Sequence, residues 1–344
     1  MAIDIFSIQP SVITRDLSGK SFFIYGVPKS GKTSNAVKFP KPIIIGFEKG
    51  WNMLSGVIGQ PVNTWREALE VKKQLLKDKE KVDRGEQEET RFKTAIVDTA
   101  SLAYSTCEKY ILNKEGVSYL DETENKRGYK AVKEEFDNYF QELVKAGYTV
   151  IAIAHAEVKQ IKENGEKYDR IQPQIDKRGD AVLAGLCDVI GYAHEKQLED
   201  GTTQMVLTMR GSKELEAGSR SKYMSAEIPF TYEALLADMQ HAIDMEEKDG
   251  ATVVDTPTLV YQEQTEKRDY KEVKKEVSEL GVKIAKMTGN KEDVTSIVEK
   301  YLGRDTGESG QVRTVNACTA AQVDQLELIL SDLKDKAEEL GIEV

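Results

Sequence analysis

The chain has 344 residues, of which 31% are charged and 40% hydrophobic, and it carries a formal net charge of −11. This length predicts one substantial domain plus a smaller unit, because single hydrophobic cores rarely exceed roughly 250–300 residues. The sequence has no run of about 20 apolar residues and no basic start followed by an apolar run, so we expect neither a spanning helix nor a secretory signal. Three widely spaced cysteines predict free thiols in a reducing compartment, so we expect a cytoplasmic protein with no membrane partner.

The charge is distributed unevenly along the chain. Residues 246–344 contain 14 basic and 22 acidic residues, which leaves a net charge of only −3 for residues 1–245. The overall balance excludes a generally basic nucleic-acid coat. Local basic loops in the first part remain able to face a phosphate backbone, whereas the acidic end would be repelled by one.

An octapeptide near the start fits the phosphate-binding pattern G-x-x-x-x-G-K-[ST] without a mismatch. The apolar run 21–25 precedes it and the helix-compatible run 34–38 follows it, which predicts strand, loop and helix in that order. Its glycines let backbone N–H groups face phosphate oxygens. We predict that Lys32 reaches the β- and γ-phosphates of ATP and that the Thr33 hydroxyl holds Mg²⁺. The predicted nucleotide-binding residues are Gly26, Val27, Pro28, Lys29, Ser30, Gly31, Lys32, Thr33 and Ser34.

A second buried strand is predicted over 43–47, bounded by prolines and ending at Glu48. A helix follows, with apolar residues between 68 and 76 on one side. The charged run 77–91 after it predicts a solvated loop.

A third strand over 92–99 ends in Asp98, the pattern of a Walker B element whose carboxylate holds the Mg²⁺ shell. The alternative is that Asp98 only terminates the strand and caps a helix starting near Ser101. The polar stretch 113–130 then separates two helical patterns.

A fourth strand over 148–155 ends in His155. The residues after it predict a hairpin that turns at Asn164 and Gly165. Its cations beside Tyr168 predict contact with single-stranded DNA, while interspersed acids leave open a plain solvated loop. The predicted DNA contacts are Lys159, Lys162, Lys167 and Arg170.

Strands over 188–193 and 204–210 and a helix through His241 complete the first domain. Arg220 and Lys222 lie between the second of these strands and the helix. Basic residues in this place either reach the nucleotide of a neighbouring subunit, as the finger of a ring or filament ATPase does, or are simply solvated. The predicted organisation is a domain over 1–245, a linker over 246–269, and a helical unit over 270–344 whose last helix opens with a capping box at Thr319 and Gln322.

The P-loop, together with strand ends at Glu48, Asp98 and His155, resembles the RecA family over about residues 15–240. More specifically, the combination looks like phage-encoded RecA-like ATPases of the nucleotide-binding or single-strand annealing type. The resemblance implies an α/β RecA-like P-loop NTPase core with a mainly parallel sheet, followed here by a small α-helical unit. It also implies that Glu48 activates the attacking water and that His155 senses the γ-phosphate and leads into a mobile DNA-binding loop.

The chain departs from RecA in lacking a long N-terminal oligomerisation helix and a Gly-rich second DNA loop, which leaves strand exchange open. The expected function is DNA-stimulated ATP hydrolysis in phage recombination, annealing or replication. The expected partners are single-stranded DNA, further copies in a ring or filament, and a recombination or single-strand-binding protein at the C-terminal helices. A helicase loader or packaging-type motor and a nucleotide-gated interaction module are the alternatives; a small-molecule kinase fits least, since no Arg-rich lid is evident.

Overall fold

The computed structural model describes residues 12–163, 165–254, 269–303, 314–319 and 322–342. The chain divides into two compact units. The described residues of the first unit are 12–163 and 165–254, and those of the second are 269–303, 314–319 and 322–342.

The first unit contains twelve strands among its described residues. They are β1 (Ile13–Thr14), β2 (Ser21–Gly26), β3 (Pro42–Gly46), β4 (Gly59–Pro61), β5 (Thr94–Asp98), β6 (Thr149–Glu163), β7 (Glu166–Pro173), β8 (Val189–Gln197), β9 (Thr203–Thr208), β10 (Gly218–Ser219), β11 (Glu227–Pro229) and β12 (Val253–Val254).

Six α-helices accompany these strands in the described part of the first unit. They are α1 (Lys32–Ala36), α2 (Trp65–Asp83), α3 (Ala100–Glu115), α4 (Arg127–Lys145), α5 (Lys177–Leu186) and α6 (Tyr232–Lys248).

Ten of the described strands form one mixed sheet in the order β11-β9-β8-β2-β6-β5-β3-β4, with β10 paired to β8 and β7 to β6. The six strands from β8 to β4 are parallel, and β7, β9, β10 and β11 pair antiparallel to their neighbours. The fold is therefore the mixed α/β architecture with a mainly parallel sheet that the sequence predicted.

Helices cover both faces of the sheet, which explains why all six residues of β2 are buried. On one face, aromatic residues of α3 and α4 such as Tyr104 and Phe136 pack against Phe23 and Tyr25 of β2. On the other face, Phe22 and Ile24 pack with residues of α1 and α6. The P-loop thus leaves the sheet from its most buried strand.

Two elements of the first unit are longer than the sequence indicated. Helix α2 continues through Asp83, into the run 77–91 that was expected to be a loop, because Leu75 stays buried and Lys79 pairs with Asp83 one turn later. Strand β6 does not end at His155 but continues to Glu163 as the first arm of the hairpin.

The first unit also extends past residue 245. Helix α6 runs to Lys248, and β12 pairs in parallel with β1. Residues 246–254, assigned to a linker from their composition, are therefore part of this unit; residues 255–268 of that linker lie outside the described residues.

The second unit contains α7 (Tyr270–Thr288), α8 (Glu292–Leu302) and α9 (Val323–Glu339), packed around a core that includes Val277, Ile284 and Leu333. The capping box expected at the start of α9 is found only in part. The Gln322 side chain accepts from the Thr319 N–H at 3.1 Å, but Gln322 itself is the N-cap residue and no side chain among the described residues caps the helix. Within the ranges that the structure describes, no helix is long and apolar enough to cross a membrane.

Candidate functional site

The predicted site residues of the core meet at the carboxyl edge of the parallel sheet. Gly26 at the end of β2 is opposite His155, and Asp98 at the end of β5 is opposite Ile153. Gly46, at the end of β3, is in turn opposite Asp98. Strand β6 lies between β2 and β5, so His155 emerges between the P-loop and Asp98.

The P-loop curves around the amino group of its own lysine. Lys29 and Gly31 have positive φ angles of 66° and 81°, which turn the loop back before α1 begins at Lys32. The Lys32 Nζ donates to the carbonyl oxygens of Gly26 at 3.0 Å and Val27 at 2.7 Å. Burial lowers the pKa of the Lys32 amine, and the nearby Asp98 carboxylate opposes that shift. The Lys32 amine is thereby held, largely out of water, inside the loop. Phosphate oxygens of a bound nucleotide would take the place of the two carbonyl oxygens as its partners.

Thr33 and Asp98 form a direct contact although they are 65 residues apart. The Thr33 hydroxyl donates to Asp98 Oδ2 at 2.8 Å, and Asp98 is only 1% exposed. Burial raises the pKa of the Asp98 carboxyl, and the hydrogen bond from Thr33 opposes the shift. A hydroxyl and a carboxylate in contact beside a P-loop are hard oxygen donors, so these two residues fit Mg²⁺.

Glu48 and His155 face each other across the same edge. The Glu48 and Phe47 N–H groups both donate to the Asp98 carbonyl oxygen, at 3.2 and 2.7 Å. This places Glu48 Oε2 3.8 Å from His155 Nε2. The other ring nitrogen of His155, Nδ1, is buried and has no hydrogen-bond partner among the described residues. A methyl group at Gly50 would touch both acids, 3.4 Å from a carboxylate oxygen of Asp98 and of Glu48.

Hydrogen bonds connect this edge to the base of the hairpin. The Gln174 N–H, just after β7, donates to the His155 carbonyl oxygen at 2.8 Å. The Ser101 hydroxyl, in the first turn of α3 after Asp98, donates to the Gln174 carbonyl oxygen at 2.5 Å. Gln174, at the base of the hairpin, is thus hydrogen-bonded both to His155 and to the start of α3.

The hairpin distributes the four predicted DNA contacts over two faces. Lys162 is directly opposite Lys167, and Lys159 is directly opposite Arg170. Because side chains alternate along a strand, the first pair faces one side and the second pair the other. Arg170 Nη2 also lies 3.3 Å from Glu216 Oε2. Lys162 and Lys167 are exposed, and neither has an ion-pair partner among the described residues.

Tyr168, expected to stack on a base, already has contacts on the hairpin. The Lys213 amine lies 4.5 Å from the centroid of the Tyr168 ring. The Tyr168 hydroxyl donates to Glu163 at 3.1 Å. Gly165 has the positive φ of 88° that the predicted turn requires, whereas Asn164 lies outside the described residues.

Arg220, predicted as a finger, serves its own chain. Its guanidinium donates to the carbonyl oxygens of Gly185 and Leu186, at 2.7 and 3.0 Å, and pairs with Asp188 at 3.2 Å. It therefore caps the carboxyl end of α5. Asp188 in turn donates its N–H to the Ser21 carbonyl oxygen, which marks the start of β2.

The second predicted finger, Lys222, pairs with Asp249 at 2.9 Å. Arg220 lies near the start of β2, whereas the P-loop follows the end of the same strand. At about 3.3 Å per residue, the two ends of β2 are about 16 Å apart. The structure brings neither cation to the P-loop of the same chain.

Asp180 and Glu216 form a partly buried carboxyl pair that has no signal in the sequence. Asp180 Oδ1, on α5, is buried without a hydrogen-bond partner in the described part of the chain. Burial and the neighbouring Glu216 carboxylate raise the pKa of Asp180 to about 7, opposed by Arg170 and Lys159. No spacing signal joins these residues, because the fold alone brings α5, β7 and the segment at 216 together.

The fold and the edge together define a P-loop NTPase: a mainly parallel sheet, a phosphate loop after a buried strand, and a Thr–Asp pair beside it. The sequence profile described as "AAA domain" matches residues 18–221, more than half of the chain, and the chain belongs to this family of P-loop ATPases. It is also 30% identical to the "SPbeta prophage-derived uncharacterized protein YorG" of Bacillus subtilis (strain 168), over 97% of this chain and 99% of that protein. The chain is thus a nucleotide-binding ATPase similar to a prophage protein.

Proposed function

We propose that this protein is a RecA-like ATPase that hydrolyses MgATP and couples hydrolysis to single-stranded DNA in phage recombination, annealing or replication. The observation that supports this most is the gathering of Lys32, Thr33, Asp98, Glu48 and His155 at one edge of the sheet. The similarity to a prophage-derived protein supports the phage setting.

In this proposal, the P-loop N–H groups and the Lys32 amine bind the β- and γ-phosphates. The amine is already desolvated and close to the loop, so binding exchanges carbonyl partners for phosphate oxygens without ordering a long side chain. Thr33 and Asp98 would hold Mg²⁺, and the bound ion would neutralise the negative charge that develops on the phosphates.

Glu48 orients and deprotonates the attacking water, since a carboxylate within hydrogen-bond reach of water is what hydrolysis requires. The Asp98 carbonyl oxygen fixes the Glu48 backbone. The Glu48 side chain is about one third exposed, so its carboxylate is accessible to water. His155, 3.8 Å from Glu48, contacts the γ-phosphate through its ring.

The coupling to DNA runs through the hairpin. A change at His155 is transmitted through its carbonyl to Gln174, and a change after Asp98 reaches Gln174 through Ser101. The exposed Lys162 and Lys167 then contact phosphates of the strand. Nucleotide state thereby sets the position of the basic hairpin.

Steady-state ATP hydrolysis, measured with and without single-stranded DNA at low and moderate salt, tests this function, with Lys32→Ala as the blank. Stimulation by DNA that weakens as salt rises is expected. Hydrolysis that is robust and indifferent to DNA would overturn the DNA role and favour a protein-directed motor. Absence of hydrolysis above the blank would leave a nucleotide-gated interaction module.

A further inference from the structure

A tryptophan slot lies next to the edge that carries Glu48. The indole of Trp51 covers Gly46 at the end of β3 and Gly59 at the start of β4. A Cβ atom on Gly46 would lie 1.7 Å from Trp51 Cη2, and one on Gly59 would lie 2.6 Å from Nε1. Real Cβ atoms do not approach other atoms this closely, so both positions must lack a side chain for the indole to fit.

The two glycines share one face of the sheet. Gly59 is opposite Ile44, and Gly46 follows Ile44 by two residues, so all three face the same side. Trp51 packs there against the core cluster that includes Ile44. The six-membered ring of the indole lies on Gly46, and the five-membered ring lies on Gly59. These two contacts fix both the position and the orientation of the indole.

The slot and the site are the two ends of one short segment. Glu48 is held at one end by its N–H bond to the Asp98 carbonyl, and Trp51 is held at the other end by the slot. Between them, a Cβ atom on Gly50 would lie 3.4 Å from a carboxylate oxygen of Asp98 and 3.4 Å from one of Glu48, so the segment passes close to both acids. With both ends fixed, residues 48–51 have little freedom, and the Glu48 carboxylate is held toward His155.

We propose that Trp51 is a positioning residue for Glu48 in ATP hydrolysis. The inference rests on the proposed function, because it assigns to Trp51 the task of holding the residue that orients water. Trp51 itself touches the two glycines and the core, and it acts on the reaction only through the backbone of 48–51. Misplacement by about 1 Å reduces turnover strongly, because water attack requires a near-attack geometry.

The first test compares turnover and ATP affinity in two variants of the same segment. Trp51→Ala is expected to lower kcat at least tenfold, up to about 100-fold, while the Kd for ATP changes less than about threefold. The matched control is Met53→Ala, since Met53 is two residues away and 95% exposed. The control is expected to keep wild-type kcat; equal losses in both variants, or none in Trp51→Ala, would overturn the proposal.

The second test asks whether Trp51 acts through Glu48. In a Glu48→Gln background, single-turnover hydrolysis with excess enzyme should lose less than about twofold when Trp51→Ala is added, because there is no carboxylate left to position. A loss as large as that in the wild-type background would mean that Trp51 is only structural and would refute the positioning role.

Trp51→Phe keeps the test valid if the alanine variant does not fold. A phenyl ring fills part of the slot, so the folded variant should have a lower kcat than wild type, while its Kd for ATP changes less than about threefold. Wild-type kcat in Trp51→Phe, or a loss that persists with Glu48→Gln, would count against the proposal. A Glu48→Gln protein that hydrolyses normally would instead contradict the function proposed for Glu48 and is recognised before any Trp51 variant is made.

Discussion

The carboxyl edge of the sheet and the hairpin that rises from it are built differently. At the edge, the strand register and backbone bonds place Lys32, Thr33, Asp98, Glu48 and His155 beside one another. On the hairpin, cations occupy both faces and one of them is paired with an acid. Side chains fixed by neighbouring strands thus form a defined chemical site. A run of cations forms only a charged surface, and its two faces have to be tested separately to learn which one binds.

The largest effect is expected from the P-loop lysine. Lys32→Ala should reduce ATP turnover by about 100- to 1000-fold or more, because it removes the preorganised cation at the phosphates. Turnover is measured by phosphate release at saturating ATP. Lys38→Ala, which removes a half-exposed cation just after α1, is the matched control and should retain turnover. Comparable losses in both would contradict a specific phosphate role.

A smaller effect is expected on the hairpin, and it should separate the two faces. Replacing Lys162 and Lys167 together with Ala should weaken single-stranded DNA binding about three- to tenfold and reduce the salt slope by about 1.4, at roughly 0.7 per phosphate contact. Binding is measured by fluorescence anisotropy over a salt series. Removal of Lys77 and Lys81, two exposed cations of α2, gives the same change of net charge. An equal fall in that control would show that only overall charge matters.

The smallest effect concerns the carboxyl pair of Asp180 and Glu216, which lies near Arg170 and Lys159 of the hairpin. The pKa of Asp180 is raised in the folded state, so its contribution to stability is complete below its unfolded pKa and is lost as pH rises through about 7. Asp180→Asn removes this titration, since the amide stays neutral beside Glu216, Arg170 and Lys159. We expect the variant to gain roughly 1–2 kcal/mol over wild type between pH 5 and pH 8, or about 2–8 °C in Tm.

Thermal unfolding across that pH range measures the difference. Asp169→Asn, at an exposed carboxylate on the hairpin, changes the net charge equally and should leave the pH dependence as in wild type. Parallel pH profiles for wild type and Asp180→Asn would contradict the raised pKa.

That several strand ends meet at one edge could be expected from the sequence for a physical reason. The P-loop pattern fixes its own local geometry, and parallel strands end at a common edge, so Asp98, Glu48 and His155 were expected to converge. The order of the strands, which inserts β6 between β2 and β5, is set by tertiary packing and had no local signal.

Features that depend on pairing between distant segments could not be read in advance. The slot for Trp51 requires β4, a strand of three residues, to pair with β3 in a register that aligns Gly46 and Gly59 on one face. Arg220 resembled an exposed cation until α5 presented its terminal carbonyls to it. In each case, the partner is chosen by the fold rather than by sequence spacing.

The most direct measurement is ATP binding and hydrolysis by Glu48→Gln beside wild type. The change removes the carboxylate but keeps the shape of the side chain, and it leaves Lys32, Thr33 and Asp98 unaltered. We predict that the Kd for ATP stays within about threefold while turnover falls by about 10²- to 10⁴-fold, the contribution of a positioned base. Wild-type turnover in this variant would contradict the assignment of hydrolysis to the edge shared by Glu48, Asp98 and His155.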